Sequence, residues 1–414
     1  MFIDRKWLIG LAVALVFSVL LVRYLDRVPK RHYCDFRVYH HTALKVLAGE
    51  DIYFRDTMAV TPFKYSPFFA FCFIPIGVLP IKVAAGLFFT LNFLLTILMF
   101  RLAAEVTGAR EKLKAFPGWM SVVLYGVGGL FLLRFVILVW DAGQVNILMC
   151  ALLLTGLVSL SKGKDALAGA FLAAAILIKY TPAIFLPYLL MRRQYKAVGW
   201  TLVFAVIWLS IPALAVGVHK EIAYLLSWIP SIMETSLDML SYTDTKNQAL
   251  FSMVIRFFSD CGQGVNVLHL TFEQGKALGY ALAAFLYLSV FIPPKGKLRD
   301  QKLDYALLFC FLPLFNPNGW ILNFVALVVP YMFLIAYLIE VKWKDLFVAA
   351  CVVAGFMATS LMAQDVVGND MQNRGELFSN VTIGTLLLVI ALLKLKFYGM
   401  HRLFQEGKIN EGLA

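Results

Sequence analysis

Charge is what this sequence holds least of. Only 15% of its 414 residues are charged, where a soluble globular chain carries roughly 25%, so a water-facing surface over most of the chain is excluded. Acid is scarcer than base: 25 Asp and Glu stand against 37 Lys and Arg, a formal net charge of +12. Cysteine is sparse as well. Cys34, Cys72, Cys150, Cys261, Cys310 and Cys351 are scattered without a C-x-x-C spacing, which removes zinc-ribbon and dithiol chemistry. No G-x-x-x-x-G-K-[ST] loop, no G-x-G-x-x-G after a strand and no H-E-x-x-H occurs, so nucleotide-binding and zincin chemistries have no anchor. His40 and His41 are adjacent, and on a helix their rings diverge, so they do not form a metal pair. No metal and no other cofactor is expected.

What is abundant is apolar side chain. The sequence is 61% hydrophobic with a mean hydropathy of +0.79, arranged in runs separated by short charged loops, the pattern of a polytopic membrane protein. Spanning segments are predicted at 7–24, 82–101, 118–139, 145–161, 198–217, 276–293, 303–315, 320–339, 345–363 and 378–397. The first lacks a small-residue cleavage site after it and reads as a retained helix rather than a signal peptide. Two segments do not fit a single crossing. Residues 66–80 are short and carry three prolines, and read as an interfacial or re-entrant piece. Residues 165–191 carry Lys179-Tyr180-Thr181-Pro182 near their middle and read as two shorter helices meeting at Lys179.

Charge sets the orientation. The loops at 101–114, 162–164, 192–196, 295–302 and 342–344 and the tail from Lys394 are basic and belong on the cytoplasmic side. The net positive charge is accounted for by this bias, and a nucleic-acid partner is not expected. About twelve helical passes follow, with both termini inside. The loop 25–65 opposes this with Arg27, Lys30, Arg31, Arg37, Lys45, Arg55 and Lys64, a cluster that suits anionic lipid phosphates. Cys34 and Cys261 then fall on the outer side, where a disulfide between them is an open alternative. Asp35, Asp141, Gln144, Asn146, Lys179, Asn247, Gln248, Arg256, Asn316, Trp320 and Asn323 all converge on that same face, implying a polar cavity open to one compartment.

Each of these residues has a plainer reading. Asp35 precedes an amphipathic helix whose apolar positions are Phe36, Tyr39, Ala43, Leu44 and Leu47; it is either that helix's N-cap or a general base raised towards working pH. Lys179 is either an ion-pair partner of Asp141 or a binder of an anionic phosphate. Gln144 and Asn146 suit helix caps, Gln248 and Arg256 a solvated helix face two turns long, and Trp320 an interfacial anchor.

The blocks DFRVYHHTALKVLAGEDIY, FKYSPFFAFCFIPIGVLP, GQVNILMCALLL, AGAFLAAAILIKYTPAIFLPYLLMRRQYKA and NQALFSMVIRF resemble, in order and over most of residues 30–330, those of glycosyltransferase family 87. The resemblance implies an all-α integral membrane protein of the GT-C fold in a bacterial plasma membrane, with an extracytoplasmic amphipathic helix after the first span and the active site on that face. It implies one polytopic domain over 1–414: a catalytic module at 1–217 with the surface loop 25–65, an extracytoplasmic loop at 218–275 and variable C-terminal helices at 276–414. It implies inverting transfer of a hexose, usually mannose, from a polyprenyl-phosphate donor to a lipid or glycan acceptor, among membrane lipids. Asp35 would be the catalytic base. Lys179, with Arg256 and Lys64, would meet the donor phosphate. Tyr39, Asp141, Gln144, Asn146, Asn247, Gln248, Trp320 and Asn323 would line the sugar and acceptor site. One departure stands out: the family's later block runs S-P-x-S-W and then histidine, whereas this chain reads Asn316-Pro317-Asn318-Gly319-Trp320 with Asn323 at about the histidine's place. A transporter of polyprenyl-linked sugars and an inactive envelope-polysaccharide subunit remain alternatives.

Overall fold

The computed structural model describes residues 5–28, 30, 34–53, 63–114, 117–237, 239–260, 266–293 and 301–398. Arg31, Arg55, Cys261 and most of the basic loop 295–302 lie outside them. Of the described residues 81% are helical, and none forms a strand. In order the helices are α1 (Arg5–Arg27), α2 (Asp35–Ala48), α3 (Pro67–Gly77), α4 (Ile81–Val106), α5 (Ala109–Leu113), α6 (Gly118–Ala142), α7 (Asn146–Ser161), α8 (Asp165–Ile178), α9 (Phe185–Met191), α10 (Tyr195–Ser210), α11 (Ala213–Val216), α12 (Val218–Leu237), α13 (Met239–Thr243), α14 (Leu250–Phe258), α15 (Phe272–Leu288), α16 (Gln301–Leu314), α17 (Val328–Glu340), α18 (Leu346–Phe356), α19 (Gln364–Leu377) and α20 (Asn380–Tyr398). Turns of 3₁₀ helix lead into α9 at Thr181–Ile184 and into α17 at Ile321–Leu327.

Among the described residues five helices are long and apolar enough to cross a membrane: Ile81–Val106, Gly118–Ala142, Tyr195–Val216, Ile321–Glu340 and Asn380–Tyr398. Leu346–Leu361 and Gln364–Leu377 make a sixth only if a pair bent by 92° counts as one span. Of the other expected passes, 7–24 falls in the 23-residue α1, and 145–161, 276–293 and 303–315 coincide with the shorter helices α7, α15 and α16. Length and composition therefore support a multi-pass protein without supporting a count of twelve.

The bundle has two chemically distinct ends. At one end, the far ends of α4, α7 and α17 are tied by Lys162–Glu105 (2.7 Å) and Lys112–Glu340 (2.6 Å). Lys396 of α20 meets Asp304 of α16 at 2.8 Å, and Arg192 after α9 also pairs with Asp304. The segment 165–191 turns back at Lys179, which has extended backbone (φ −142°, ψ 131°). A Cβ on Gly169, early in α8, would lie 2.5 Å from Trp200 Cβ, early in α10, so α9 returns the chain to the side from which α8 set out. Residues 66–80 also fold back. Ser66 caps α3 by accepting from Phe69 N, Pro67 fills the first helical position, and His40 of α2 hydrogen-bonds Leu79 O after α3 (3.0 Å).

In α2 the buried face is Phe36, Val38, Tyr39, Thr42, Ala43 and Val46. Leu44 and Leu47, expected on that face, are exposed. The capping reading of Asp35 is corrected: the N-cap is Cys34, without a side-chain cap bond, and Asp35 is the first helical residue. Its carboxylate is therefore not needed to start the helix. Cys34 Sγ lies 3.4 Å from Ala142 O.

Candidate active site

The start of α2, the C-terminal parts of α6 and α8, one side of α12, the loop before α3, the turn before α17 and α19 surround a cavity of about 1030 Å³. Four acids, Asp35, Asp244, Asp365 and Glu376, and four cations, Lys64, Arg134, Lys179 and Lys246, line it. Trp228 and Trp320 lie in its wall. Helix α12 covers the cavity from the side, with Trp228 Nε1 donating to Lys64 O (3.2 Å) and Tyr224 Oη to Glu50 O.

Asp35 is held from behind by a chain of neutral groups. Tyr39 Oη donates to Tyr65 Oη (2.8 Å), both tyrosines reach Gln144 Oε1 (3.4 Å each), and the Gln144 side chain hydrogen-bonds Asp35. With its oxygen taken by the tyrosines, the Gln144 amide nitrogen is left for the carboxylate. The geometry depends on Gly143, whose φ is 61°. A Cβ there would lie 2.6 Å from Phe36 Cβ and 2.5 Å from Tyr24 Oη. Only glycine lets the turn between α6 and α7 close onto the start of α2. Burial among these groups pushes the Asp35 carboxyl up to about 6, against the lowering pull of Lys179, the Gln144 bond and Lys64.

Lys179, at the end of α8, lines the same cavity. Its Nζ donates to Asn146 Oδ1 and to Asn323 Oδ1 (2.8 Å), and Asn323 Nδ2 donates to Asn318 O (2.8 Å). The ammonium is thus placed by two neutral amides, and two of its three N–H groups are used. The ion pair with Asp141 does not form, because Asp141 accepts from Arg27 Nη1 at 3.0 Å. Asp141 does not line the cavity, and Tyr39 sits fully buried behind it.

Asn247, Gln248 and Arg256 are not brought into the cavity. Each is at most 1% exposed and bonded to the chain around it. Asn247 Nδ2 donates to Ser241 O (2.8 Å) and Pro317 O (2.7 Å). Gln248 joins Thr245 O, Glu376 O and Val381 N. Arg256 Nη1 donates to Asp244 O (2.8 Å) and Asn247 O (2.9 Å), and Nη2 to Ser379 Oγ (2.7 Å). They pin the 244–249 loop to the 316–320 turn and to the start of α20, and so build the wall that carries Asn318, Trp320 and Asn323. The cavity also holds residues that sequence reasoning passed over: Tyr65, Trp228, Arg134 and Glu376. Arg134, a charge mid-way along the apolar α6, carried a signal. Glu376 did not, since it sits in a polar segment between spans.

The sequence profile of glycosyltransferase family 87 matches residues 63–317, more than half of the chain. The chain belongs to glycosyltransferase family 87. A search of curated proteins found no match. The family match takes in Lys64, Gln144, Asn146 and Lys179 and stops short of Asp35, Asn323 and Glu376, which join the site through the geometry described above. As a member of the family the chain is a membrane glycosyltransferase.

Proposed function

We propose that this family member is an inverting transferase that moves a hexose, with mannose as first choice, from a polyprenyl-phosphate carrier to a hydroxyl of a lipid or glycan acceptor, on the outer face of a bacterial plasma membrane. One observation carries the reading: Asp35 and Lys179 line one cavity, each held by neutral amides rather than by a counter-ion in contact. An acid raised to about 6 is ionised at neutral pH and still basic enough to take a proton. In the proposed step the acceptor hydroxyl gives its proton to Asp35 while its oxygen bonds to the anomeric carbon from the face opposite the phosphate. The bond from that carbon to the phosphate oxygen breaks, its electron pair stays on the phosphate, and configuration inverts. Lys179, backed by Lys64, neutralises the growing phosphate charge. Gln144, with Tyr39 and Tyr65 behind it, orients the base; Asn146 and Asn323 orient the lysine; Asn247, Gln248 and Arg256 support the wall; and Trp320 offers its ring to a sugar. The basic ends of α4, α7 and α17 lie away from the cavity, which supports an outer-face site.

The test is transfer by the purified protein in lipid from polyprenyl-phosphate mannose, with Asp35→Asn alongside. The expected loss is about 10²–10⁴-fold, with a melting temperature no lower than that of the wild type. An undiminished rate would remove Asp35 as the base, and movement of the donor across the bilayer without transfer would favour the transporter reading.

A further inference from the structure

The part of the cavity wall formed by α6 and α19 has its own chemistry. Glu376 of α19 is fully buried in its wall. Its Oε1 accepts from Gln372 Nε2 (2.6 Å) and Arg134 Nη2 (3.3 Å), while its Oε2 has no hydrogen-bond partner among the described residues. Leaving a buried carboxylate oxygen unmatched costs free energy; this oxygen is covered in the structure, and a small turn of the Glu376 side chain towards the cavity it lines would bring it to a donor there. Arg134 spends its other terminal nitrogen on Thr359 O (2.8 Å) and cancels the charge of Glu376. A neutralised pair with one open acceptor oxygen suits a hydroxyl. Paired in this way it offers little net attraction to a phosphate. Arg134 lies eight residues before the end of α6 at Ala142, about 12 Å along the helix axis by helical rise, so the pair sits deeper along α6 than Gln144 does, whereas the donor sugar is covalently bound to the phosphate and stays beside Lys179.

We infer that Glu376, set by Arg134 and Gln372, is a recognition site for the hydroxyls of a neutral polyhydroxylated ring of the acceptor. The inference rests on the transferase reading and deepens it. The full chain in lipid nanodiscs is titrated, without turnover, with methyl α-mannobioside as neutral probe and with ethyl phosphate as anionic probe, read by the fluorescence of Trp228 and Trp320. Glu376→Gln is expected to weaken the mannobioside at least fivefold and to leave ethyl phosphate within twofold; Lys179→Ala should do the reverse. If Glu376→Gln fails to fold, Gln372→Ala, at a half-exposed position, is expected to weaken mannobioside at least twofold. Mannobioside binding within twofold of wild type in the folded variant, or equal weakening of both probes, overturns the inference, as does absence of mannobioside binding by the wild type. Loss of the ethyl phosphate response alone would instead count against the phosphate role of Lys179 and leave the Glu376 site standing.

Discussion

The two ends of this bundle treat charge in opposite ways. At the end away from the cavity, charges close on each other: Asp304 takes Lys396 at 2.8 Å together with Arg192 and the Tyr188 hydroxyl, and Asp345 takes Lys394 and Tyr337. These groups neutralise one another in a setting where a lone charge is costly. In the cavity, Lys179 is positioned by two asparagine oxygens and Asp35 by a glutamine amide. A neutral partner fixes direction without cancelling charge. The contact ion pairs of the far end are thus structural devices and the amide-held ions are kept ready for a ligand; the Arg134–Glu376 pair in the cavity wall stands between them, with one oxygen matched and one not.

If that distinction holds, removing a charge has different consequences at the two ends. Lys396→Ala leaves Asp304 with less compensation in a buried site and should cost about 3–5 kcal/mol, read as a large fall in melting temperature with turnover per folded molecule unchanged. Lys179→Ala leaves only neutral acceptors behind. It should lower transfer about 10²–10³-fold while moving the melting temperature far less. Equal losses of stability in the two variants would erase the difference between the ends.

pH tests the Asp35 half. The folded carboxyl titrates at about 6, above its ordinary value of 3.8, and the base form is the ionised one. Transfer should therefore rise tenfold per pH unit below about 6 and level off above it, and Asp35→Asn should lose that limb along with most of the rate. The sign for stability is opposite to that of a paired carboxylate. A raised folded pKa means the native state holds this proton more tightly than the unfolded chain, so this group's contribution falls as pH rises from about 4 to about 6. At pH 7 Asp35→Asn should be neutral or stabilising. A marked loss of thermal stability would return Asp35 to a structural role.

What could be read from the sequence divides along the same line. Asp35 and Lys179 stood out because a charge beside or within an apolar run has few structural uses, and Pro182 with Lys179 marked the break that the chain makes between α8 and α9. Proximity to one membrane face, however, does not give the direction of a side chain. Asn247, Gln248 and Arg256 were expected on that face with Asp35, yet their polar atoms turn to the 241–247 and 317 backbone and to Glu376, Ser379 and Val381 around the start of α20. Arg134 shows the converse: its position in α6 was visible, but its partner Glu376 lies 242 residues away, a pairing no local pattern encodes. Capping failed for Asp35 because helix α2 starts one residue earlier than its composition suggests, at a cysteine that makes no cap bond.

The smallest expected effect concerns the residue that departs from the family's block. Asn323 uses both ends of its amide, accepting from Lys179 and donating to Asn318 O. Its work is to aim the ammonium, which needs a neutral acceptor and no titratable proton. A neutral histidine can accept at one ring nitrogen and donate at the other, so Asn323→His should keep transfer at neutral pH within about tenfold. Protonation would turn that ring into a second cation facing Lys179 and remove the acceptor. The variant should therefore gain a new loss of donor affinity below roughly pH 6.5, visible as a rise in donor KM. Asn323→Ala, which removes the acceptor at every pH, should raise donor KM without that pH dependence. A histidine variant with the wild-type profile would mean that Lys179 is aimed by Asn146 alone.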